Sequence, residues 1–159
     1  MGNYIKDIVR KYTLKYNTRN PFKLADLLGI EVQLGTPGCA GCYMFLKNHR
    51  YIFLDQDLEE MELLQVMAHE LGHAILHKKQ NCCFIRNKTL LLNSKTEIEA
   101  NLFAAELLIE EDTILEYQGY TVSQLARLLG YEERFIELRL TNCRTNQSIT
   151  PPRAAGPEI

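Results

Sequence analysis

No stretch of this chain approaches the roughly 20 consecutive apolar residues that a bilayer crossing needs, so the reading holds no membrane-spanning helix. The first ten residues, Met1 to Arg10, also lack the apolar core of a secretory signal. Neither charge is in excess: 18 Lys and Arg stand against 20 Asp and Glu, a net of -2 at pH 7. That argues against a surface built to neutralise many phosphates. Disulfide stapling is not expected either. Five cysteines cannot all pair within one chain, and 159 residues can bury a core without cross-links. Reduced thiols and a cytoplasmic setting are the expectation. No internal repeat is present.

What is present is a globular composition, 46% hydrophobic and 24% charged, of a size that suits one domain. Apolar residues recur at helical spacing from Tyr4 to Tyr16. Asn20-Pro21 has the form of a helix entry, and Gly29 of a helix stop. Ile30 to Leu34 alternates as a strand does, and Thr36 to Gly41 reads as a loop. Cys42 to Leu46 and Arg50 to Leu54 read as a hairpin turning at Lys47-Asn48-His49. A long helix is expected over Leu58 to His77, and a second over Glu97 to Glu111. Lys78 to Asn93 is irregular, with a short strand at Lys88 to Leu92 or a loop with buried leucines. Two further helices are expected at Thr121 to Leu129 and Glu132 to Leu140. The domain is taken as residues 1–140, and the polar, then Pro-, Gly- and Ala-rich 141–159 as a disordered tail.

The chemistry lies in His69-Glu70-Leu71-Gly72-His73. This is an HExxH motif inside the first long helix. Residues i and i+4 share a helix face, so His69 and His73 can offer two imidazole nitrogens to one zinc ion. Glu70 points toward the same cavity and can act as general base on a water there. A catalytic zinc usually takes three protein ligands. Glu97 and Glu99, on the second helix, compete to be the third.

Glu97 shares a stripe with Asn101, Ala104 and Leu108, which look inward. Glu99 shares one with Phe103, Glu106 and Glu110, which reads as more solvated. Thr96 and Glu99 fit a capping box, which would give Glu99 a structural task, but Ser94 and Glu97 fit the same box in an earlier register. Glu97 is favoured and Glu99 kept as the alternative. Asn101 can orient a zinc-bound histidine through its far nitrogen, or can equally be a buried Asn bonded to backbone.

His77 continues the series 69, 73, 77. At about 1.5 Å per residue, though, the i to i+8 reach is too long for three histidines to meet one ion. A supporting or packing role is expected for it, and a solvated turn for His49. Cys39-Ala40-Gly41-Cys42 with Cys82-Cys83 can be imagined as a second, thiolate zinc site, but adjacent cysteines rarely converge on one tetrahedral ion.

Together the runs "MAHELGHAILH" and "EIEANLFAAELL" resemble the ImmA/IrrE-type metallopeptidases. "NPFKLADLLGIEV", "GCYMFLKNHRYIFLD" and "TVSQLARLLGYEERFIELRL" follow the same order of parts, so the likeness covers roughly residues 4–140. HExxH alone is shared by many zinc hydrolases; its combination with the E-x-E-A-N helix is more specific. The resemblance implies a small cytoplasmic zinc endopeptidase of gluzincin type. Its fold would be α+β, with a short three-stranded sheet packed on the motif helix and additional C-terminal helices.

By the same resemblance His69, His73 and Glu97 would bind zinc and Glu70 would be the base. The substrate would be a helix-turn-helix transcriptional repressor of a mobile element, prophage or stress regulon, and its cleavage would relieve repression. Tyr43 is the one donor suggested for the oxyanion. Two rival readings stand beside this one. The first is a module that grips a repressor without cutting it, around a structural zinc. The second is direct DNA binding through the Thr121 to Leu140 helices, which carry Gln124, Arg127, Arg134 and Arg139 among Glu132, Glu133 and Glu137. The mixed charge favours packing or partner docking, with no direct nucleic-acid contact expected.

Overall fold

A computed structural model of the protein describes residues 2–84 and 94–147. The strand suggested at Lys88 to Leu92 lies outside them, as does the chain from 148 onward. The architecture is α+β. Helices α1 (Gly2–Tyr16) and α2 (Pro21–Leu27) lead into strand β1 (Ile30–Gly35) and the hairpin β2 (Gly41–Leu46) and β3 (His49–Asp55). Helix α3 (Glu60–Leu76) carries the motif, and β4 (Cys82–Phe84) returns to the sheet. Helices α4 (Lys95–Leu108), α5 (Glu111–Glu116), α6 (Val122–Leu129) and α7 (Glu133–Gln147) complete the described chain.

Local chemistry explains the punctuation. The Asn20 side chain caps α2 by accepting from Phe22 N at 2.9 Å and Lys23 N at 3.1 Å. The β2–β3 hairpin closes with both central residues left-handed, Lys47 at φ 48° and Asn48 at φ 64°. A two-residue turn of that kind matches the twist of the strands it joins. His49 is therefore the first residue of β3 and pairs with Leu46, rather than sitting in the turn. Helix α6 starts with a full capping box between Thr121 and Gln124 and stops at Gly130, φ 76°.

Among the described residues the sheet has the order β1-β3-β2-β4, the expected three strands with one short addition. The extra strand, β4, has only three residues and pairs antiparallel with β2, Gly41 opposite Phe84 and Tyr43 opposite Cys82. β1 runs parallel to β3, Val32 opposite Ile52. One sheet face, with Tyr43, Ile52 and Leu54 fully buried, receives α3. Helix α4 packs on α3, and also meets α1 and α7. Both helices are thus interior. Val66 to Ala74 are buried without a break, and α4 buries Ala100, Phe103, Ala104, Ala105 and Leu107 around most of its circumference. A helix buried all round has little amphipathic signature.

Helix α7 runs on to Gln147, past Leu140 where the sequence pattern weakens. Its interior side explains the extension. Arg139, Asn142 and Cys143 are buried, and Arg139 Nη1 lies 3.1 Å from Glu106 Oε1 on α4. Arg139 also donates to Ile109 O at 2.8 Å, and Asn142 donates to the same Glu106 carboxylate. Among the described residues no helix is long and apolar enough to cross a membrane.

Candidate metal centre

His69, Glu70 and His73 are each 1% exposed or less. Two imidazoles and a carboxylate in an apolar interior cost several kcal/mol, roughly, unless partners are supplied. Helix α4 supplies them. Its approach depends on Gly72: a Cβ there would lie 3.2 Å from Ala100 Cα, 3.2 Å from Ala100 O and 3.3 Å from Phe103 Cβ. Glycine at this point, facing alanine, lets the two backbones close up. Gly inside a helix costs about 1 kcal/mol against Ala, and close packing is the usual return. In the sequence, the only mark of this contact is a glycine in mid-helix.

The start of α4 sets the register of the third acid. Ser94 is the N-cap and its hydroxyl accepts from Glu97 N at 3.3 Å. The earlier of the two cap registers is the one the chain adopts, so the Thr96–Glu99 box does not form. Glu97 falls in the first helical turn, where the backbone N–H groups favour a negative charge. It is buried beside the histidine pair.

Three ligand atoms converge. His69 Nε2 and His73 Nε2 are 3.0 Å apart. Glu97 Oε2 is 3.3 Å from His69 Nε2, and Glu97 Oε1 is 3.3 Å from His73 Nε2. A tetrahedral ion with ligand bonds of about 2.0–2.1 Å places its ligands roughly 3.3 Å from one another. The spacing therefore fits a zinc-sized ion. Among the described residues this is the one group of three such side chains within ligating reach of one another. Cys39, Cys42 and Cys82 form no such group, and the side chain of Cys83 lies outside the described residues.

Protonation favours the same use. Asn101 Oδ1 lies 2.8 Å from His69 Nδ1 and can only accept, so Nδ1 carries the proton. The Nε2 lone pair of a neutral His69 then faces His73 and Glu97. Burial pushes the His69 imidazole below its ordinary value, against the opposing pull of Glu97. For Glu97, burial alone would raise the carboxyl, but hydrogen bonds and charge from His69 and His73 outweigh it and bring it to about 2. The set at neutral pH is a carboxylate with a neutral imidazole, the donor set a divalent zinc takes.

Glu99 lies elsewhere. Its Oε2 is 3.3 Å from His77 Nε2, and Lys95 Nζ is 3.8 Å from its other oxygen. Of its stripe, Phe103 and Glu106 are buried and Glu110 is exposed. His77 sits just past the end of α3, its ring centroid 5.7 Å from that of His73. Asn101 bonds His69 through its side-chain oxygen. Tyr43 is buried, and its hydroxyl donates to Lys78 O at 2.6 Å, which commits it to holding the chain after α3. Of the residues considered for DNA contact, Gln124 is occupied in the α6 capping box and Arg139 is buried against Glu106.

The peptidase M78 family model, the IrrE N-terminal-like domain, matches residues 25–141. The chain is 34% identical over 139 residues to the "Uncharacterized immunity region protein 2" of Bacillus phage phi105, across 85% of this chain and 88% of that relative. It is 30% identical over 129 residues to "Metallopeptidase ImmA" of Bacillus subtilis (strain 168), across 77% of this chain and 75% of that relative.

Proposed function

This chain belongs to the ImmA/IrrE family of metallopeptidases, and from that premise we propose that it is a zinc-dependent, site-specific endopeptidase. Its substrate in this reading is a helix-turn-helix transcriptional repressor, cut in the cytoplasm so that repression is relieved. The observation that carries the proposal is the convergence of His69, His73 and Glu97 at tetrahedral spacing beside a buried Glu70. The names of the two relatives, one from a phage immunity region and one a metallopeptidase, support the substrate class.

In this mechanism His69, His73 and Glu97 hold the metal. Bound zinc would supply Lewis acidity, polarising the scissile carbonyl and easing deprotonation of a water. Glu70 takes the proton from the attacking water and returns it to the leaving amine. Asn101 keeps His69 in the tautomer and orientation that present Nε2. Burial of the four acting side chains keeps bulk water from competing for them.

The test is incubation of zinc-loaded protein with a candidate helix-turn-helix repressor, followed by mass spectrometry of the products. The expected result is a single cut by the wild type and none by Glu70→Gln, which keeps its zinc and its fold. A repressor inactivated stoichiometrically but left whole would replace this reading with that of a gripping module.

A further inference from the structure

Gly41 opens β2, and its own carbonyl accepts a bond from the Cys39 thiol at 3.2 Å. It is fixed on both flanks, opposite Leu54 of β3 and Phe84 of β4. Next to it, Ala40 O accepts from Asp55 N at 3.0 Å. A strand tied on both sides cannot withdraw to make room for a side chain. The space a side chain would need is already taken by α3. A Cβ on Gly41 would lie 2.5 Å from Val66 Cγ1, 3.1 Å from Glu70 Cγ and 3.2 Å from Glu70 Oε1. Real Cβ contacts essentially never fall below 3.0 Å, as the one to Val66 would; the two to Glu70 are tight enough that its side chain must give by a few tenths of an ångström. Val66 and Glu70 are four residues apart on one helix face, 1% and 0% exposed, so neither can swing out to solvent.

We propose that Gly41 is a positioning residue for the reaction. The bare backbone at this point of β2 forms the wall against which the Glu70 carboxylate is seated, and any side chain there displaces that carboxylate. The inference rests on Glu70 acting as the general base. It assigns to β2 a task distinct from its place in the sheet, since a glycine inside a paired strand is otherwise unfavourable. Val66 and Glu70 meet the added atom separately. Shortening Val66 removes the steric conflict that threatens folding and leaves the conflict with Glu70.

The experiment uses the zinc-loaded full chain with acetohydroxamate as probe. A hydroxamate chelates zinc and hydrogen-bonds the neighbouring carboxylate, so its affinity reports where that carboxylate sits. Zinc affinity is measured by chelator competition, probe affinity by calorimetry. Val66→Ala alone is expected to bind the probe as wild type does. Gly41→Ala with Val66→Ala is expected to keep zinc affinity within about twofold and to bind the probe about tenfold more weakly, the loss of one charge-assisted hydrogen bond. Glu70→Gln should weaken the probe similarly, and adding the Gly41 and Val66 changes to it should cost nothing more, because both act on one group.

Unchanged probe binding in the Gly41→Ala, Val66→Ala protein overturns the proposal. So does a further loss on the Glu70→Gln background. A wild type that takes up no zinc overturns the functional reading and this one with it. A wild type that binds zinc and probe while ignoring Gly41 overturns this one alone.

Discussion

Asn101 Oδ1 accepts a hydrogen bond from His69 Nδ1 at 2.8 Å, across the interface of two helices. Both residues are buried, so the bond is shielded from water. It fixes which nitrogen of His69 is left to bind a metal. Removing such a support typically costs about 10–100-fold in metal affinity. Asn101→Ala is expected to lose zinc affinity by about that factor, measured by chelator competition. Asn101→Asp, which still accepts, should retain most of it. Equal zinc affinity in wild type and Asn101→Ala would falsify the role.

The two glutamates of α4 should separate cleanly. Glu97→Ala removes one of three converging ligands, and bound zinc should fall from about one per chain to little. Glu99→Ala breaks a contact with His77 and Lys95 and should leave zinc content unchanged. Elemental analysis of the two purified variants decides it. Zinc lost from Glu99→Ala and kept by Glu97→Ala would reassign the third ligand.

Gly72 faces Ala100 so closely that an added methyl group would lie 3.2 Å from its backbone, tight enough that the neighbour must give by a few tenths of an ångström. Gly72→Ala gains helix propensity, about 1 kcal/mol. It then has to push α4 off α3, and overpacking of this kind costs about 1–3 kcal/mol. The net expectation is a small loss of thermal stability with a larger loss of zinc affinity, because Glu97 moves with α4. A variant that binds zinc as tightly as wild type would show that the helices are not held this close.

Acid should release the metal in a defined window. Protons compete for His69 Nε2, and burial holds that imidazole below its ordinary 6.5. Zinc affinity is therefore expected to be flat above pH 6.5 and to fall only below it. Glu97, at about 2, stays ionised throughout and adds no second step in that range. The metal-free protein follows the same sign. Its unfolded chain takes protons on His69 near pH 6.5 that the folded state refuses, so stability declines as pH falls through that value. The Glu97 contribution is present above pH 4.5 and is lost as pH falls toward about 2. Zinc titrations between pH 5 and 8 check the first claim. An affinity already falling at pH 7.5 would contradict it.

Much of this arrangement was readable in the sequence, and the failures have physical causes. The HExxH pair is local, one helical turn, and periodicity sufficed to place it. The third acid is not local. The structure places Glu97 beside the histidine pair, and local pattern accounts for that only in part. The face argument assumed a half-exposed helix, whereas α4 is buried nearly all round. Two cap registers, at Thr96 and at Ser94, fit the sequence equally, and the chain caps at Ser94. Arg139 looked like surface charge because Glu106, its partner, lies on another helix and leaves no mark in local pattern. The short β4 has three residues and α5 has six with no side-chain cap, too little of either to carry a period.

The close approach at Gly72 changes what the five-residue motif is. Read as text, His-Glu-Leu-Gly-His is portable, a ligand pair and a base on any helix that will hold them. In this molecule its fourth letter is a contact with Ala100 of another helix. A designer who grafts the motif onto a foreign helix transfers two ligands but not the surface that brings the third. The transplant should bind zinc weakly until the receiving scaffold offers a small residue opposite the glycine and an acid one turn before it.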